Sequence, residues 1–415
     1  MISYIRHIFN KNIYIRYIIY TFLSLSIFVL RRHKILLVLP IVLAAISVFV
    51  LKKKIYINKI SIVYVLFWIY YILISIISYI IGNRQLDITK IATLIVNVLI
   101  IISIAILIPP TVRDKEKLLI YLRNFGIIMC FIGIIEFITK NSFFYNIILV
   151  EAKNWQFNLF GTDKFRIFTM FLHPIVYAMF LLTVFWINYY YREKNIYLFW
   201  IIQLLIVFNL YATQSRSSWI ALIIIIIINK IISINEKDNK IQKSRKKHKI
   251  IAGFLIFILL VIFKERIIEI FINIYERFYL AFDITNSEGS RIQRLGAISN
   301  ILRFCTDNIG LAFIGGGVGY NNIFMIKNPI YIGFEYVDNQ YFSLILNCGI
   351  IGLVLFFSPI IMLLINKSFR KSKINKTLFL ALLSIYICIF FYEGLSWHTT
   401  LFLNSIFIFM VTNKI

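Results

Sequence analysis

Acidic side chains are scarce in this sequence: 18 Asp and Glu stand against 44 Lys and Arg, and charged residues of both signs make up only 15% of its 415 positions. A water-soluble domain of that length needs far more polar surface, so a soluble fold is excluded. Cysteine is scarce as well. Cys130, Cys305, Cys348 and Cys388 show no paired spacing, and three of these lie in apolar runs, which points away from a disulfide framework or a zinc site. The alternation of apolar and polar residues that builds a transmembrane barrel is missing too, leaving a helical bundle as the way to satisfy the backbone in lipid. Arg31-Arg32-His33-Lys34 follows the first apolar run where a small-residue cleavage site would stand, so no cleavable signal peptide is expected.

Apolar sequence is abundant. Hydrophobic residues make up 60% of the chain, in recurring runs long enough to cross a bilayer as helix. The expected fold is an all-α polytopic membrane protein of about twelve transmembrane helices with one long external loop that contains short helices. The spans are expected near 13–30, 35–51, 60–82, 91–110, 118–138, 167–189, 197–213, 218–234, 250–263, 342–365, 377–391 and 396–413. This divides the chain into membrane helices over 1–263, the loop over 264–341, and membrane helices over 342–415.

The formal charge of +26 raises nucleic-acid binding, but the basic residues cluster in short loops between apolar runs, as cytoplasmic anchors do. No nucleic-acid partner is expected; the lipid bilayer is. Residues 235–249 carry Lys237, Lys240, Lys243, Arg245, Lys246, Lys247 and Lys249, and 366–376 carry Lys367, Arg370, Lys371, Lys373 and Lys376. With both segments cytoplasmic, the loop between them is external, and alternation puts 139–166 and the turn 213–217 beside it. Arg31–Lys34 and Lys52–Lys54 flank one short apolar run and cannot both be cytoplasmic if it spans, so the first two segments are expected to form a shallow or tilted hairpin.

Within the loop, Glu265 to Phe282 mixes apolar and charged residues as an interfacial amphipathic helix does. Ser287-Glu288-Gly289-Ser290 signals a turn and the start of a second helix from Arg291 to about Arg303. Three arginines stand against the positive-inside pattern: Arg166, Arg216 and Arg291. Each either snorkels into headgroups or binds an anion. Arg216, in Thr213-Gln214-Ser215-Arg216-Ser217-Ser218-Trp219, has its nearest acidic residues in sequence, Glu193 and Glu236, on the opposite face. A carboxylate distant in sequence or an anionic ligand therefore has to balance it, and guanidinium fits phosphate oxygens in a bidentate fork.

Other positions carry two readings each. His173, followed by Pro174, is a hydrogen-bonded packing residue or a site residue near the external face. Gly315-Gly316-Gly317 with Gly319 is a tightly packed turn or a nest whose N–H groups bind phosphate or sugar oxygens. Asp338 caps the following helix, or acts as general base or orienting group for an acceptor hydroxyl. Glu136 and Glu393, in or beside spans, are further functional candidates.

In order, the chain shows Arg-x(6)-His-Pro from Arg166, Ser-Arg-Ser-Ser-Trp from Ser215, and a long loop with an early arginine and a glycine-rich turn. Asp338-Asn339-Gln340-Tyr341 then leads into Gly349-Ile350-Ile351-Gly352. Taken together, these residues resemble the O-antigen polymerase (Wzy) and O-antigen ligase superfamily over roughly Arg166 to Phe357. The resemblance implies a GT-C-like, metal-independent glycosyltransferase without cofactor, in the cytoplasmic membrane, with its long loop external. Its substrates would be oligosaccharides on undecaprenyl pyrophosphate, and its partners a chain-length regulator and a flippase. Arg216 and Arg291, with Arg166, would hold the pyrophosphate and stabilise its departure. Asp338 would be catalytic; Arg294, His173, Gly316, Gly317 and Asn339 would join the substrate-binding set, with the loop as a lid over a floor of helix ends. Ligases of this superfamily carry a histidine near the position of Asp338. Here no histidine occurs between His248 and His398, which favours a polymerase of capsule, O-antigen or exopolysaccharide repeat units. A ligase-type transferase and a lipid-linked oligosaccharide flippase are the alternatives.

Overall fold

Backbone amides in an apolar solvent must be paired within their own segment, so long Ile-, Leu- and Phe-rich runs become helices. A computed structural model describes residues 13–26, 38–50, 58–82, 87–109, 111–142, 144, 165–171, 173–191, 195–234, 272, 289–330, 337–366 and 372–411, and among these every regular element is helical. The helices are α1 (Ile13–Ser26), α2 (Leu39–Phe49), α3 (Lys59–Ile81), α4 (Ile88–Leu107), α5 (Val112–Thr139), α6 (Pro174–Tyr190), α7 (Ile196–Ala212) and α8 (Arg216–Ile234). They continue with α9 (Gly289–Asp307), α10 (Ile309–Ile314), α11 (Tyr320–Lys327), α12 (Gln340–Ile365), α13 (Lys373–Ile389) and α14 (His398–Met410). The expected span 250–263, the interfacial helix 265–282 and the basic segment 235–249 lie outside the described residues.

Four helices, α3, α4, α5 and α12, are long and apolar enough to cross a membrane; α1, α2, α6, α7 and α14 are shorter apolar helices. At 11 residues, α2 is roughly 16 Å long, about half of a hydrocarbon core. Helices that are apolar all round go to the centre. Thus α6 and α14 are buried along nearly their whole length, and α6 packs on α13. Peripheral helices are two-faced in an unusual sense. On α3, Tyr64, Phe67, Trp68, Tyr71 and Ile74 turn inward, while Ile62, Leu66, Ile69, Leu73, Ile77 and Ile80 form an exposed stripe as apolar as the core. Water would penalise that stripe; lipid does not. The chain is a multi-pass membrane protein.

Polar ties mark the two ends of the bundle. At one end, Lys115 Nζ donates to Met410 O at 2.9 Å, Asn58 Nδ2 donates to Val411 O at 3.0 Å, and Tyr190 Oη donates to Glu116 Oε1 at 2.6 Å. Glu136, 20 residues further along α5, marks the other end about 30 Å away.

The expected span 167–189 is corrected. Residues 165–168 form no regular element, Thr169–Phe171 form a single 3-10 turn, and the helix starts only at Pro174. Proline at the first helical position and His173 as N-cap set that start. A second break lies inside α12, where Gly349 adopts φ +66° and ψ −176°. Its neighbour demands this geometry: a Cβ there would stand 2.2 Å from Phe313 O.

Candidate active site

The irregular stretch before α6 is held from both sides at the far end of the bundle. Glu136, fully buried in the last turn of α5, accepts from Phe168 N at 3.2 Å and Thr169 N at 2.8 Å. On the other side, Ile167 N donates to Ala212 O at 3.3 Å and Arg166 Nε donates to Thr213 O at 2.9 Å. These two carbonyls are among those a helix C-terminus leaves without intrahelical partners, and a cation there also meets the negative end of the α7 dipole. The turn that follows, Thr213 to Ser215, places Arg216, half-buried, at the first residue of α8. Thr169 (φ +50°) and Gln214 (φ +49°) both adopt the left-handed conformation that side chains other than glycine disfavour. Backbone strain is therefore concentrated around Arg166 and Arg216.

His173, 4% exposed, connects this arginine cluster to a second polar cluster. Its Nδ1 accepts from Ile175 N at 3.3 Å, so Nδ1 carries no proton and the ring is neutral with the hydrogen on Nε2. The ring stacks on Tyr392, with centroids 4.6 Å apart and planes at 16°, and leans on Trp397 at 5.4 Å. Next to Tyr392 in the α13–α14 turn is Glu393. Its Oε1 accepts from Asn321 Nδ2 at 3.2 Å, and the Ser343 hydroxyl is a polar neighbour of the carboxylate. Asn321 is itself fixed, donating its N–H to Asn347 Oδ1 at 2.9 Å. Asp338 and Lys90 are the charged neighbours of Glu393. Burial pushes its carboxyl up to about 7, and Asp338 adds to the rise against the opposing pull of Ser343, Asn321 and Lys90.

Arg166 and His173 are thus electrostatic neighbours, Arg216 opens α8 three residues after the carbonyl that Arg166 binds, and Asp338 is a charged neighbour of Glu393. Several readings change. Asp338 does not cap α12: the cap is Asn339, 8% exposed, whose Oδ1 accepts from Tyr341 N at 2.9 Å and Phe342 N at 3.2 Å. The nest reading of Gly316 and Gly317 gives way to tight packing. Gly316 N–H donates to Leu346 O at 2.9 Å and Gly317 N–H to Asn347 O at 2.8 Å, carbonyls that the break at Gly349 frees from α12, so neither amide is available to phosphate. This glycine turn is a wedge beside α12, reaching on the order of 10 Å along it, rather than part of a lid over helix ends. Arg291 and Arg294 fall in the first turns of α9, which packs on α10 and α12; their side chains lie outside the described residues.

Lys90 and Asn321 escaped the sequence reading. A signal for Lys90 was present: by alternation of spans it opens a helix on the external side, as anomalous there as Arg166. For Asn321 none was, because its partners come from α12 and the last turn.

No curated protein matches the chain. Residues 201–357 match the family model described as O-antigen ligase, a segment that takes in Arg216, α9 to α11, Asp338 and the broken helix, and this supports the O-antigen ligase/polymerase superfamily without separating ligase from polymerase.

Proposed function

We propose that the protein is a repeat-unit polymerase of a bacterial surface polysaccharide. It transfers glycan from undecaprenyl pyrophosphate to the next lipid-linked repeat unit on the outer face of the cytoplasmic membrane. The observation that supports this reading is that one bundle end carries Arg166, bonded to the turn that precedes Arg216, and also His173 stacked on Tyr392, the sequence neighbour of Glu393, which has Asp338 as a charged neighbour.

The chemistry asks for two opposite charges at separate points. The acceptor hydroxyl oxygen attacks the anomeric carbon, the bond from that carbon to the pyrophosphate oxygen breaks, and negative charge grows on the departing pyrophosphate. Guanidinium groups held in place before the reaction stabilise that charge without reorganising. A carboxylate takes the acceptor's proton. The aromatic rings of Tyr392 and Trp397, packed on His173, would offer a sugar ring a stacking surface. Arg291 and Arg294, from α9, join the anion-binding side in this reading. The absence of histidine from 249 to 397 favours the polymerase over the ligase.

The test uses purified protein in lipid with an undecaprenyl-pyrophosphate-linked repeat unit as both donor and acceptor. A polymerase yields a ladder of lengthening chains. A ligase yields product only when a separate lipid core is supplied, and a flippase yields none in either mixture. Arg216→Ala is expected to reduce ladder formation by 10²-fold or more, with Arg216→Lys restoring little because one ammonium cannot reproduce the bidentate fork. Normal ladders from Arg216→Ala would remove the clamp.

A further inference from the structure

Resting on the polymerase reading, we infer that Glu393, in the turn between α13 and α14, is the catalytic base that receives the acceptor's proton, and that Asp338 is its positioning and tuning neighbour. Three structural features point to Glu393. Glu393 is held by Asn321 at the start of α11, with Ser343, fully buried in the first turn of α12, as a further polar neighbour. Asn321 also donates to Ser343 Oγ at 3.3 Å, and Asn347, which orients Asn321, donates its Nδ2 to Tyr71 Oη at 3.2 Å. The second feature is adjacency. Tyr392, next to Glu393 in sequence, stacks on His173, so this carboxylate stands beside the aromatic bridge to the arginine cluster. The third is the role of the wedge: Gly319, at φ +84°, precedes α11 and lets Lys90 pass so close that a Cβ would lie 2.5 Å from its Cδ. The glycine turn thus precedes the helix that brings Asn321 to the carboxylate of Glu393 and packs on Lys90, which acts on that carboxylate electrostatically.

In the step itself the acceptor O–H bond breaks and its proton passes to a Glu393 carboxylate oxygen. The hydroxyl oxygen's electron pair forms the new glycosidic bond, and the electrons of the broken anomeric bond leave with the pyrophosphate. The charged and titratable groups facing Glu393 are Asp338 before α12, Lys90 on α4 and Tyr71 on α3. A base acts when deprotonated, so activity rises with pH through the Glu393 pKa, near 7. Removing the negative neighbour lowers that pKa; removing the positive one raises it.

The experiment measures initial polymerisation rates from pH 5 to 9 for the wild type, Glu393→Gln, Asp338→Asn and Lys90→Met. Glu393→Gln keeps the side chain's shape and is expected to lose roughly 10²–10⁴-fold in rate while still binding donor. Asp338→Asn is expected to retain measurable turnover with its acid limb moved to lower pH, and Lys90→Met to move it to higher pH. A structural role for the network would move neither limb. Near-normal rates in Glu393→Gln, or abolition by Asp338→Asn with an active Glu393→Gln, overturns the assignment in favour of Asp338. If the wild type itself makes no ladder, the polymerase reading fails and the assignment fails with it.

Discussion

At Glu136 one carboxylate meets two consecutive backbone amides, those of Phe168 and Thr169, in a fully buried site. Each amide left unpaired in such a place costs ~1–3 kcal/mol. Glu136→Ala strands both amides, and Glu136→Gln strands one, because the amide nitrogen that replaces an oxygen is a donor. The thermal midpoint of detergent-purified protein should fall in both, further in Glu136→Ala; equal midpoints for the three proteins would mean the amides find other partners. Residue by residue, cations were easier to read from sequence than carboxylates. Arg166 and Arg216 violate a charge rule that topology alone exposes, whereas Glu136 and Glu393 are marked only by lying in or beside apolar runs. What they bind depends on backbone amides and side chains 32 or more positions away, which no local pattern encodes.

At the scale of elements, hydrophobic runs located the helices well because lipid permits few alternatives to a helix. The interruptions were not legible. Gly349-Ile350-Ile351-Gly352 reads as continuous apolar helix, and only contact with Phe313 and Gly315 explains why the chain breaks there. The irregular residues 167 and 168 fall inside the expected span 167–189 because Ile167 and Phe168 are as apolar as any helix face. The break yields a sharp prediction. In Gly349→Ala the side chain enters a backbone region that only glycine tolerates and meets Phe313 O at 2.2 Å. Either α12 straightens or the wedge withdraws, and both outcomes release Gly316 and Gly317 from Leu346 O and Asn347 O. Cys348, fully buried where Gly315 crosses it, reports the event. N-ethylmaleimide should label Cys348 at least tenfold faster in Gly349→Ala than in the wild type, with polymerisation lost. Unchanged labelling with full activity would show that the wedge tolerates the methyl group.

For the whole molecule, the two ends of the bundle differ in a way that fixes an expected orientation. The end with Lys115, Glu116, Tyr190 and Lys373 is tied by short side-chain bonds and by Lys373 packing over the Tyr190 ring at 5.0 Å. It adjoins the basic segments 235–249 and 366–376 in the order of the chain, and is therefore expected on the cytoplasmic side. The other end gathers Arg166, Arg216, Asp338 and Glu393, and a glycan already carried across the membrane would meet it from outside. Lys140 and Lys327 are exposed at the ends of α5 and α11 on that side, whereas Arg113 is exposed at the start of α5 on the other. With Cys305, the one partly exposed native thiol among the described residues, changed to Ser, single cysteines at these positions test the orientation. A membrane-impermeant maleimide applied to intact cells should label Lys140→Cys and Lys327→Cys and leave Arg113→Cys unlabelled until the membrane is opened. The reverse pattern would turn the site toward the cytoplasm, where it would face nucleotide-sugar chemistry instead of exported lipid-linked units, and the polymerase mechanism would lose its substrate.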